Sequence, residues 1–173
     1  MPAGLRSLHA LAAYQGPLPR IVLDAKNGRR LQLLRTLGIA LGQVTSPGSA
    51  ATVTWAPTTS TRRRRRGFDH AEVLARAVAS QWGLPCASLL VRVAGDAQCG
   101  RSATERQDGL RFVARRPVAG GCWLVDDVCT TGATLRAASL ALLGAGADAV
   151  DGLVLGRVAL KPEPKDADTL HRA

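Results

Sequence analysis

The sequence predicts an α/β fold in which a mostly parallel sheet is flanked by helices within a single domain, residues 1–160, followed by a flexible tail, 161–173. Three observations predict it. Strand patterns alternate with helix patterns along the chain, and a parallel sheet covered by helices is the economical way to bury both. The chain has 173 residues, of which 46% are hydrophobic, enough for one real core. Aromatic residues make up only 3%, so that core must be built from Leu, Val and Ala.

The elements follow in order. "LHALAAYQG" near the start is apolar and rich in small residues, and reads as ordinary structure leading into the domain. Residues 16–44 read as two helical pieces broken near "KNG", the second with Leu31, Leu34, Leu37 or Gly38, and Leu41 on one face. "TSPGSAA" is loop material, and "TVTWAP" (52–57) alternates, is β-branched and stops at Pro57, as a strand does. "TTSTRRRRRG" (58–67) reads as irregular. "FDHAEVLARAVASQWG" (68–83) reads as a helix with Val73, Leu74, Ala77 and Val78 inward and Gly83 as its C-cap. "CASLLVRV" (86–93) is the next strand. Ser102 and Glu105 form a capping box that should open a short helix. The two glycines flanking Asp96, Gln98 and Cys99 make residues 94–107 a candidate mobile lid. A short strand and turn follow at 110–121, then an apolar strand, "CWLVDD" (122–127), an Ala/Leu-rich helix over 131–147 and a last strand over 149–160.

Charge narrows the partners. Lys and Arg total 23 against 13 acids, a formal charge of +10, and 20 of the 23 are Arg. That balance favours nucleic acid, nucleotides or phosphorylated sugars. The four cysteines form no C-x-x-C pair, so reduced thiols in a cytoplasmic protein and no zinc site are expected. No apolar run approaches the ~18 residues of a membrane span, so no membrane insertion is expected.

The chemistry concentrates in "LVDDVCTTGATL" (124–135). In open α/β sheets, ligands bind beyond the carboxyl ends of the strands, where Asp126 and Asp127 are expected. Carboxylates only accept hydrogen bonds, which suits vicinal ribose hydroxyls and Mg²⁺ held through water. The loop behind them opens a helix, whose free N–H groups and positive dipole end suit a phosphate. Gly132 and Ala133 let the backbone approach closely, and Thr130, Thr131 and Thr134 add hydroxyls. A ribose clamp joined to a phosphate cup fits a phosphorylated ribose.

This stretch resembles the diphosphoribosyl-pyrophosphate signature of the type I phosphoribosyltransferases. Together with "AYQGPLPRIVLDAKNGRR" (13–30), "RRRRRGFDHAEVLARAVA" (62–79) and "QCGRSATERQDGLRF" (98–112), it is similar to the ComF-like, competence-associated subgroup over about residues 14–157. The resemblance implies a type I phosphoribosyltransferase-like fold, 5-phosphoribosyl 1-pyrophosphate (PRPP) as ligand, Mg²⁺ as cofactor and transfer of phosphoribosyl to an acceptor with release of pyrophosphate. It assigns Asp126 and Asp127 to the ribose and to Mg²⁺-bound water, as catalytic residues. It gives Thr130, Thr131, Gly132, Ala133 and Thr134 to the 5′-phosphate, and Pro57, Thr58 and Thr59 to the pyrophosphate loop. The subgroup is tied to DNA uptake, so single-stranded DNA is the alternative partner. In the run Arg62–Arg66, Arg62 and Arg66 coincide with basic positions of the family pattern and are the candidate polyanion contacts; the other reading of the run is a solvated charge cluster. Lys26 reads equally as a ligand contact and as a surface lysine, and His70 as an ordinary residue. Four departures stand out. No C-x-x-C pair of the N-terminal zinc ribbon that members of the subgroup often carry occurs in this sequence. Asp69–His70 replaces a usual Asn–Gln. Gly109 stands where an Asn is usual, three residues after Arg106. Pro57-Thr58-Thr59-Ser60 replaces Pro-Leu-His-Pro.

Overall fold

The computed structural model describes residues 1–27, 30–94 and 110–159. The capping box at Ser102, the lid read over 94–107 (beyond Ala94) and the tail lie outside the described residues, as do the side chains of Arg62 and Arg66. The elements are β1 (Ser7–Ala13), α1 (Leu18–Asn27), α2 (Leu31–Gly42), β2 (Ala50–Trp55), α3 (Ser60–Arg66), α4 (His70–Trp82), β3 (Leu90–Ala94), β4 (Leu110–Ala114), β5 (Gly121–Cys129), α5 (Ala133–Gly144) and β6 (Val150–Arg157). Among them no helix is long and apolar enough to cross a membrane.

Four strands form a wholly parallel sheet in the order β1-β6-β5-β2. β3 and β4 pair antiparallel in a separate ribbon. Strand alternation divides the core between the two faces of the sheet. Trp123 and Val125 of β5 join Leu34 and Leu41 of α2 and Leu74 and Val78 of α4. Cys122 and Leu124 face the other way, to Leu135, Ala138 and Leu142 of α5. Fully burying a leucine or valine contributes ~1.5–3 kcal/mol, so these layers hold the sheet in place with few aromatics.

Helix boundaries follow local chemistry. Asp69 takes an extended conformation at the N-cap of α4 and accepts the N–H of Ala71 at 3.1 Å. Gly83 closes α4 in the left-handed region, φ 65°, as expected of a C-cap glycine. On α2, Leu34, Gly38 and Leu41 are buried while Leu31 is exposed, so the apolar face lies close to that read from the period.

The structure differs from the sequence reading in three elements and gives a type to a fourth, the alanine-rich start. Residues 60–66 are helical, not irregular: arginine is a good helix former, Arg63 donates its N–H to the Thr59 carbonyl, and Glu72 of α4 pairs with Arg63 at 3.5 Å. The alanine-rich start is a strand, β1, because β6 offers it a parallel partner from Ser7↔Asp151 to Ala13↔Arg157. The strand placed at 86–93 begins at Leu90, leaving only a parallel bridge between Cys86 and Val53. β5 runs past its acids to Cys129, since β6 continues to pair with it there.

Candidate functional site

The site lies where the sheet changes the direction of its connections. β2 leads through α4 to the bridge at Cys86 on its outer side, while β5 leads through α5 to β6 on the opposite face. The crevice between the carboxyl ends of β2 and β5 is therefore a topological switch point. β2 stops short: the Ala56 N–H donates to the Val125 carbonyl at 3.0 Å and the chain turns away. Asp126 and Asp127 extend beyond that last pairing. Behind the turn lies a cleft of about 470 Å³ lined by residues from α1, the loop after β2, α4 and its N-cap, β3, β5 and α5.

Of the residues singled out from sequence, Pro57, Thr58, Asp126, Asp127 and Thr134 line this cleft. Thr59 is partly buried beside it without being on its wall. Thr130, Thr131 and Ala133 are exposed in the loop that opens α5. Gly132 is the N-cap of that helix at φ 80°, and a Cβ there would stand 2.6 Å from Cγ of Pro2. Glycine is required both by the conformation and by the contact. The Ala133 N–H reaches the Thr131 hydroxyl at 3.4 Å, so a threonine dresses the first turn.

The electrostatics of the cleft are set by three carboxylates and the cations opposite them. Asp127 pairs with Lys26 Nζ of α1 at 2.5 Å. Asp126 accepts the N–H of Asp127 at 2.8 Å. Burial, and then the charge of Asp127, push the Asp126 pKa well above the usual carboxylate range, against the Asp127 N–H and the Lys26 charge. Asp69 also lines the cleft, and burial raises its pKa although the N–H groups of Thr58 and Ala71 oppose the shift. Arg92 reaches the wall from β3, its guanidinium 5.9 Å from the Phe112 ring centroid.

Three polar wall residues carried no role in the sequence reading: Asp69, His70 and Arg92. His70 is buried, and its Nε2 lies 3.3 Å from the Lys26 carbonyl, which can only accept, so Nε2 carries the proton there. An aspartate directly before an apolar helical pattern is a signal for the N-cap and could have marked Asp69. No local signal places Lys26 or Arg92, whose positions depend on the packing of distant segments.

No sequence-family model matches the chain, and no curated protein matches it. Solved structures do. The chain is similar to the structure of the allosteric regulatory enzyme of purine biosynthesis, at 25% identity over 70% of this chain and 25% of that one, with a TM-score of 0.50. It is also similar to the glutamine phosphoribosylpyrophosphate amidotransferase from B. subtilis complexed with ADP and GMP, at 27% identity over 69% and 25% of the two chains, TM-score 0.48. A third is the adenine phosphoribosyltransferase from Leishmania tarentolae, at 18% identity over 73% and 56%, TM-score 0.40. The chain spans about a quarter of the length of the first two. The likeness to the first of these carries the fold: a mostly parallel sheet flanked by helices, of the type I phosphoribosyltransferase kind.

Proposed function

We propose that this chain binds PRPP and transfers its 5-phosphoribosyl group to an acceptor, releasing pyrophosphate. The observation that supports it is the meeting, at the switch point of a phosphoribosyltransferase fold, of an adjacent carboxylate pair, the loop after β2 and the first turn of α5. The ligand has three parts and the cleft three matching walls. The 5′-phosphate belongs at the start of α5, with Thr130, Thr131, Gly132, Ala133 and Thr134. Asp126 and Asp127 accept the ribose hydroxyls. Pro57, Thr58 and Thr59 shape the pyrophosphate side. In the reaction the acceptor's lone pair forms a bond to C1 of the ribose. The C1–O bond breaks with its electrons going to pyrophosphate, and the acceptor loses its proton. As charge develops on the ribose carbon, the carboxylates beneath it stabilise the cation, and the fixed walls hold acceptor and leaving group in line.

Two adjacent carboxylates are hard oxygen donors, and they fit Mg²⁺ in the mode that cation prefers: one or two carboxylates, water and substrate phosphates. When bound, it would neutralise charge on the pyrophosphate. The ComF-like resemblance belongs to the same proposal.

A second reading is favoured by α3, which gathers five arginines in one short helix next to the cleft, with Arg63 and Arg64 exposed. In it the chain binds single-stranded DNA, within a DNA-uptake machinery, and uses PRPP as a ligand rather than a substrate. Affinity for a DNA oligonucleotide that falls steeply with salt and needs no PRPP would support it.

Titration calorimetry with PRPP and Mg²⁺ tests the main reading. Wild type should bind. The double variant Asp126→Asn, Asp127→Asn should lose about 3 kcal/mol, roughly 100-fold in Kd, while keeping its circular dichroism. Equal binding by the variant would remove the ribose-clamp assignment.

A further inference from the structure

Asp69 and His70 stand where the resembled subgroup carries Asn–Gln, and neither has a part in the reaction above. Their geometry gives them one. Asp69 is 3% exposed and uses both carboxylate oxygens. Oδ2 accepts the N–H of Thr58 at 2.7 Å, and Oδ1 accepts the N–H of Ala71 at 3.1 Å. The first bond reaches back eleven residues to the loop after β2, and the second caps α4. One side chain therefore ties the wall of the cleft to the first turn of the helix that packs beneath it. The next residue does the same for the opposite wall: His70 Nε2 donates to the carbonyl of Lys26, whose Nζ meets Asp127.

We propose that Asp69 is the positioning residue of the pyrophosphate wall, fixing the backbone at Thr58 so that residues 57–59 meet the leaving group in one arrangement. This rests on the PRPP reading. A carboxylate on the wall of a polyphosphate site repels its ligand, so attraction does not explain Asp69; holding two backbone donors at once does. Asparagine has one acceptor oxygen, and its amide nitrogen would confront the second N–H. Buried from water, neither donor would find a ready substitute.

The test separates loop positioning from helix capping. Serine is an efficient N-cap, so Asp69→Ser keeps the cap of α4 but is too short to hold Thr58 as well. Binding of pyrophosphate with Mg²⁺ and of ribose 5-phosphate is measured by calorimetry on the full chain, for wild type, Asp69→Ser and Asp69→Asn. In both variants pyrophosphate should weaken about tenfold, the loss of one hydrogen bond to a charged group, while ribose 5-phosphate is unchanged. Exchange of the Thr58 amide, followed by nuclear magnetic resonance, should speed up in Asp69→Ser. Tighter or unchanged pyrophosphate binding, or equal loss for both ligands, overturns the role, because repulsion or general destabilisation would then dominate. A wild-type chain that binds neither ligand overturns the PRPP reading and this role with it. A wild-type chain that binds both, with the same ratio of affinities in Asp69→Ser, overturns this role alone.

Discussion

The two ends of the central sheet each enclose an aspartate, and the surroundings treat the two acids in opposite ways. At the amino end of β6, Asp151 is 3% exposed. It accepts Arg6 Nε at 3.1 Å and the Ser7 hydroxyl at 2.7 Å, with Arg6 Nη2 on its second oxygen. Burial opposes its charge, but those bonds and the charges of Arg6 and His9 outweigh burial, and its pKa is lowered. At the carboxyl end of β5, Asp126 has one N–H donor from its neighbour and a second carboxylate beside it, and its pKa is raised. The first acid is satisfied within the fold. The second is left electrostatically unsatisfied, a condition a ligand with hydroxyls or a cation would relieve, and such groups cluster at functional sites.

Asp151→Ala should lower stability by about 2–3 kcal/mol, since hydrogen bonds to a buried charged acceptor are lost, while PRPP affinity stays at the wild-type value. Urea unfolding and calorimetry read the two quantities. A variant that lost ligand affinity without losing stability would reverse the assignment of the two ends.

The two ends respond to pH in opposite ways. Asp126 and Asp69 hold their protons more tightly folded than unfolded, so the stability they allow is full below about pH 4, the ordinary carboxylate value, and declines as pH rises toward their raised values. Asp151, lowered, stabilises above about pH 4 and loses that contribution as pH falls through its folded value. The urea midpoint should therefore fall as pH rises above about 4, and Asp126→Asn should flatten that decline. Asp151→Asn should instead flatten the acid limb.

The smallest effect concerns two thiols on one strand. Burial pushes Cys122, at the amino end of β5, up to about 12. Burial also raises Cys129 at the carboxyl end, but the charge of Arg157 opposes it there. Alkylation at pH 9, mapped by mass spectrometry, should modify Cys129 before Cys122. The reverse order would mean that the carboxyl end is the more tightly closed of the two.

Where the sequence was readable, the signal was local. The apolar period of α4 and its Gly83 cap, the compact run of β5 and the small-residue opening of α5 each follow from neighbouring residues. The stretch 124–135 also carried enough chemistry to mark Asp126, Asp127 and Thr134, which the structure brings to one cleft with Pro57 and Thr58. β1 was illegible because an alanine-rich segment has little strand preference of its own; pairing with β6 makes it a strand. The arginine run concealed α3 because its charges repel until Glu72, from another helix, partly offsets them.

The sequence by itself determined the α/β alternation, the caps and the pairing of an acid end with an open helix start, because periodicity and capping act over a few residues. Only the tertiary structure decided that Lys26 would face Asp127, that Asp69 would hold Thr58, and that Asp151 would be neutralised while Asp126 was not. Those outcomes depend on burial and on partners that meet only when the sheet and its helices assemble, and the energy of a charge is set by that assembled environment rather than by its neighbours in the chain.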